Sequence, residues 1–130
     1  MRPDLENQDA GSDVVAEVRS AVADYDDALA TGDLDRVDGW FWPDEGASRI
    51  GESGAIHGYS AIAAARRSGA APSEPRTEEE MRIVPLTADT AVVILEYLRP
   101  RTGRRGRRTQ VWLRTDAGWR IAHAHLSVEA

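Results

Sequence analysis

The sequence predicts an α+β fold, with helices first and a curved antiparallel sheet after them, and three observations predict it. Apolar residues recur at steps of three and four from Val14 to Phe41, the period of helices with one buried stripe. From Met81 onward the pattern changes to alternation and to β-branched and aromatic runs. Turn residues at Ala88-Asp89, Pro100 to Gly106 and Asp116-Ala117-Gly118 then cut the second half into consecutive strands, with no helical crossover between them. That order excludes a parallel, doubly wound sheet.

Residues 1–12 are polar and carry Pro3, Asn7 and Gly11, so they read as a flexible tail before a single domain over 13–130. Ser12 or Asp13 is the expected cap of a first helix whose stripe is Val14, Val15, Val18, Val22, Tyr25 and Leu29. Thr31-Gly32-Asp33 stops it and starts a second, with Leu34, Val37, Trp40 and Phe41 on one face, until Pro43. A short strand is expected at 48–51, a turn at Ser53-Gly54 and a further extended piece at 56–59. Ser60 is placed to cap a third helix through Ile62 to Arg67, closed by Gly69, and residues 69–78 read as a linker. Strands are expected at 81–85, 91–97, 107–114 and 119–128. Such a sheet, curled around three helices, leaves a conical cavity that suits a small ligand.

Composition removes several kinds of chemistry. At 130 residues, the chain has room for one domain. It has no cysteine, which removes disulfides, thiol nucleophiles and thiolate zinc sites. All 16 basic residues are arginine, so Schiff-base chemistry on a lysine is excluded. The net charge of -6 opposes binding to nucleic acid. The basic run Arg99, Arg101, Arg104, Arg105, Arg107 and Arg108 has no aromatic residue interleaved for base stacking; it reads as a solvated hairpin tip or a subunit contact to Glu78-Glu79-Glu80. No apolar run approaches the roughly 20 residues of a membrane span, and no signal segment is evident, so the expected location is the cytoplasm. Phosphate-loop, dinucleotide and Gly-x-Ser-x-Gly fingerprints are absent.

The remaining candidates each have two readings. Arg49, on the short strand, either offers a fixed fork to a carboxylate inside the cone or pairs at the surface with Asp44 or Glu45. Tyr25 either packs in the core or directs its hydroxyl into the cavity. Trp119, Ile121, His123, His125 and Ser127 share one strand face if no bulge intervenes, and either face is open to being the inner one. His125 is then a pocket hydrogen-bonding group or general base, with Ser127 beside it, and His123 is incidental. His57 and Tyr59, ahead of the third helix, either wall the pocket or pack a loop; Trp112 is an apolar wall or a core residue. A metal site built on His57, His123 and His125 is disfavoured because nothing pins a third ligand, and Asp44 suits a turn better than a catalytic base.

Read in order, Phe41-Trp42, Arg49-Ile50-Gly51, His57-Gly58-Tyr59 with Ala61-Ile62 and Arg66, Gln110 to Arg114, Gly118-Trp119-Arg120-Ile121 and His125-Leu126-Ser127 form a recognisable series. It resembles the SnoaL-like, or nuclear transport factor 2-like, cone fold, and within it the AtzH-like proteins, over roughly residues 14–127. The resemblance implies a small enzyme of bacterial nitrogen catabolism that hydrolyses an amide bond in a urea-type compound carrying carboxylates, with loss of carbon dioxide and without metal or organic cofactor. The tyrosine and arginine essential in that family correspond to Tyr25 and Arg49. The expectation is a homodimer acting on a small anionic substrate. Arg49 would clamp a carboxylate or polarise the carbonyl, Tyr25 would donate to the oxyanion and His125 would position substrate or water; His57, Tyr59, Trp112 and Ser127 would line the pocket. Since the fold hosts many activities, two other readings stand beside it: a noncatalytic ligand-binding or association module, and an isomerase or dehydratase with Asp44 or His125 as base.

Overall fold

A computed structural model describes residues 8–69 and 75–130. Helix α1 spans Gln8–Thr31, α2 Leu34–Gly39 and α3 Tyr59–Ser68; the strands are β1 Ser48–Gly51, β2 Gly54–His57, β3 Thr77–Thr87, β4 Thr90–Arg99, β5 Arg104–Thr115 and β6 Gly118–Val128. Together the strands form one sheet in the order β2-β1-β6-β5-β4-β3. Every pairing is antiparallel except β1 with β6. The α+β arrangement predicted from the change of period is the one observed.

The helices cover one face of this sheet. Val14, Val18, Val22 and Tyr25 of α1, Val37 of α2, Phe41 and Ile62 of α3 pack against Ala91, Val93, Trp112, Ile121 and Ala124. Side chains alternate across a strand, so the buried set Ala91, Val93, Leu95, Tyr97 of β4 and Gly106, Arg108, Gln110, Trp112 of β5 defines the inner face. α1 begins at Gln8, earlier than the predicted tail boundary, and Ser12 and Asp13 are exposed helical residues rather than caps. Residues 1–7 of the expected tail and 70–74 of the expected linker lie outside the described residues.

Local sequence explains the shorter elements. Asp33 caps α2, its carboxylate accepting from the Arg36 amide at 3.2 Å. α3 opens at Gly58, not Ser60. With φ at +91°, Gly58 makes a turn that disfavours L side chains, and its amide donates to the Ala47 carbonyl at 2.7 Å. Pro85 sits in β3 because β3 is an edge strand, where a missing donor interrupts no inner ladder. In β6 the register slips: Val111 pairs with His123 but Trp112 with Ile121, leaving Ala122 as an extra residue.

Candidate functional site on the concave face

Tyr25 reaches the inner face from α1. It is 5% exposed, edge-on to Phe41 and Trp112 at centroid distances of 6.1 and 6.4 Å. The Arg108 guanidinium lies over its ring, 5.5 Å from the centroid. Asp26, the next residue on α1, receives Arg108 through two contacts, Nη1 to Oδ1 at 2.8 Å and Nη2 to Oδ2 at 3.4 Å. Arg76 approaches the same carboxylate at 3.5 Å and stacks over Tyr97 at 5.1 Å. Asp26, Leu29, Arg76, Leu95 and Tyr97 line a cleft of about 450 Å³ between α1 and the β3–β4 side of the sheet.

Arg49 comes from the other side. It pairs in register with Ala124, which pairs in turn with Gln110; both are buried, so Arg49 springs from the same inner face. Its Nη1 runs along its own strand past Gly51, 3.6 Å from where a β-carbon there would stand. Since Ile50 lies beside His125 and Leu126 beside Arg108, the guanidinium ends near the level of Arg108, two strands away. That separation is about 10 Å by strand spacing. Arg49 is half-buried and has no carboxylate partner among the described residues. The surface pairing with Asp44 or Glu45 is not formed: Asp44 instead accepts from the Gly46 amide at 2.8 Å in an exposed turn.

The bulge at Ala122 reverses the face of the last strand. Trp119 and Ile121 face inward before it, whereas His123, His125 and Ser127 face outward after it, and His125 and Ser127 are exposed. His125 therefore leaves the pocket to which the unbulged pattern assigned it, and Ser127 leaves with it. His57 is also outside, exposed on β2, with Nδ1 2.9 Å from Ser48 Oγ. Tyr59 is half-buried at the start of α3 against the core. Trp112 is wholly enclosed and donates through Nε1 to Gln110 Oε1 at 3.0 Å, so it is core beneath Tyr25 rather than an open wall. Among the described residues, no three His, Asp or Glu side chains converge as a metal site.

Arg108 is the residue the sequence concealed. It stands within the arginine-rich run, yet its side chain is 1% exposed while Arg105 and Arg107 bond outward to Glu79 and Glu96. The signal was the two-residue alternation Arg108, Gln110, Trp112, which puts all three on one face. Arg108 Nε and Gln110 Nε2 are buried donors with no acceptor among the described residues.

Helices packed into a curved sheet, with a polar cluster in the concavity, define a cone of the nuclear transport factor 2-like class. The chain belongs to the AtzH-like family, whose model it matches over residues 8–130. It is similar to the crystal structure of a protein of unknown function from Pectobacterium atrosepticum, at 32% identity and TM-score 0.85, over 91% of this chain and 92% of that one. A cystatin-like fold protein from Burkholderia xenovorans is 33% identical, with TM-score 0.83 over 91% and 93% of the two chains. A nuclear transport factor 2-like superfamily protein from Salmonella enterica is 25% identical, with TM-score 0.73 over 92% and 93%. No curated protein matches the chain.

Proposed function

We propose that this protein hydrolyses a small carboxylated amide or ureido acid on the concave face of the cone, without a cofactor. The observation that carries the reading is Arg49: a half-buried guanidinium, directed along the inner face and lacking a carboxylate partner among the described residues. A cation held partly out of water without a counter-charge suits an anionic ligand. In this reading Arg49 clamps the substrate carboxylate or polarises the carbonyl, and Tyr25 donates to the oxygen as negative charge develops there. Water adds to the carbonyl carbon, the C–N bond breaks, and the nitrogen leaves with a proton that derives from the water. Where the acyl product is a carbamate, it loses carbon dioxide.

Support also comes from membership of the AtzH-like family, with Tyr25 and Arg49 at the positions the resemblance assigns. The three histidines take no part, because the bulge and the β1–β2 pairing put them on the outer face. The isomerase reading loses both its bases by the same geometry, Asp44 to an exposed turn and His125 to the outer face.

The test is release of ammonia and carbon dioxide from a panel of small ureido acids. Wild type is expected to turn over at least one of them, and Arg49→Ala none, with its circular dichroism spectrum unchanged. A folded, fully active Arg49→Ala rejects the assignment. Small carboxylates that raise the melting temperature of a wild type inert toward the whole panel would instead establish a noncatalytic binding module.

A further inference from the structure

The strand glycines are Gly51, Gly54, Gly106 and Gly118. Glycine inside a strand gives up side-chain packing and costs backbone entropy. It marks a bulge, a backbone that L side chains disfavour, a crowded contact or the close approach of a ligand. Gly54 and Gly118 have φ at +119° and +104°, and Gly106 lies against the Tyr97 ring. Gly51 meets none of the structural conditions. Its φ is outside the left-handed region, and β1 pairs with β2 through it without a register shift. Apart from its chain neighbours, a β-carbon on Gly51 would meet a single atom within 4 Å among the described residues, Arg49 Nη1 at 3.6 Å, an ordinary contact. Neither backbone nor packing asks for glycine here.

We propose that Gly51 is a specificity determinant of the site, its missing side chain being the space in which a ligand carboxylate lies against Arg49. The two residues are two apart on β1 and share the inner face, and both are half-buried, so this ground is open to solvent. The Arg49 guanidinium runs along the strand to Gly51, and a side chain at position 51 would stand in front of it. Gly54, the cross-strand partner of Gly51, is bare as well. Half-buried Leu126, the residue after the Ile50–His125 pair, gives an apolar flank on the same face. Glu52, the next residue in the chain, pairs with Arg99 at 3.6 Å. A guanidinium fork beside bare backbone and an apolar flank suits a planar carboxylate on a short carbon chain. The inference rests on the reading of Arg49 as the carboxylate clamp and adds the residue that keeps the clamp open.

The probe is 4-oxopentanoate, which carries a carboxylate and a carbonyl but no C–N bond to break, with its uncharged methyl ester as counterpart, both followed by titration calorimetry. Wild type is expected to bind the acid at least about tenfold more tightly than the ester. Arg49→Ala should bind the acid no better than the ester. Gly51→Ala and Gly51→Leu should both melt at or above wild type, because a strand position favours a side chain over none. Their affinity for the acid should nevertheless fall, by about threefold for alanine and at least about tenfold for leucine. Undiminished affinity in Gly51→Leu overturns the proposal. So does a Gly51→Ala protein that melts below wild type, which would make the glycine a requirement of the fold, and so does a wild type with no preference for the acid. A wild type inert toward every ureido acid, yet showing the expected binding pattern, overturns only the hydrolase reading. A wild type that hydrolyses ureido acids, with kcat and KM unchanged in Gly51→Leu, overturns only the role of Gly51.

Discussion

Gly106→Ala is the perturbation whose size follows most directly from the geometry. Gly106 is buried on β5 directly opposite Tyr97 of β4, and a β-carbon there would run into the Tyr97 ring and hydroxyl. The absent side chain lets that ring lie flat over β5, where it walls the cleft and carries Arg76. Adding the methyl group forces the ring, only 2% exposed, out of its place. Overpacking of this kind costs about 1–3 kcal/mol, offset by at most about 1 kcal/mol from the stiffer unfolded chain. The middle of that net range is about 1–2 kcal/mol, and near 60 °C a domain of this size melts about 4 °C lower per kcal/mol, so the expected loss is about 4–8 °C. Thermal melts followed by circular dichroism read it out. Combined with Tyr97→Ala, the glycine substitution should cost nothing further, because the ring it displaces is gone. A Gly106→Ala protein that melts with wild type, or a double mutant whose losses add, would refute this reasoning.

Further outcomes follow from the same contacts. Asp26→Ala leaves Arg108 buried without its counter-charge and should lower stability by about 3–5 kcal/mol in denaturant unfolding. Tyr25→Phe should leave the melt nearly unchanged and slow turnover by about 10² to 10³, the effect of losing one oxyanion donor. His57→Ala and His125→Ala, both on the outer face, should retain wild-type kcat and KM toward any substrate found. Glu17 on α1 accepts from the Trp119 indole at 2.8 Å and from Arg114 at 2.8 Å; the indole bond foremost holds its carboxyl below the usual 4.5. A lowered folded-state value means its contribution is present above pH 4.5 and lost as pH falls through that value. Glu17→Gln should therefore melt lower than wild type near neutrality and converge with it as pH drops below 4.5.

What the sequence made legible was governed by local rules. Helical spacing marked Tyr25 as a stripe residue, and Ser48–Gly51 was readable as a short strand between turns. What it hid depended on partners distant in the chain. One extra residue at Ala122 moves His125 and Ser127 to the outer face, and that slip exists only in the register between β5 and β6. Arg108 looked like one more solvated arginine because its partner, Asp26, lies 82 residues away on α1. The start of α1 was misplaced because Ser12 and Asp13 resemble a cap, whereas the helix extends back to Gln8.

The central claim is that Arg49, on the inner face and without a carboxylate partner among the described residues, meets an anionic acyl substrate. Carbon dioxide and ammonia release from ureido acids, measured side by side for wild type and folded Arg49→Ala, addresses it most directly. The account predicts turnover by the wild type and none by the variant; equal rates for the two proteins would contradict it.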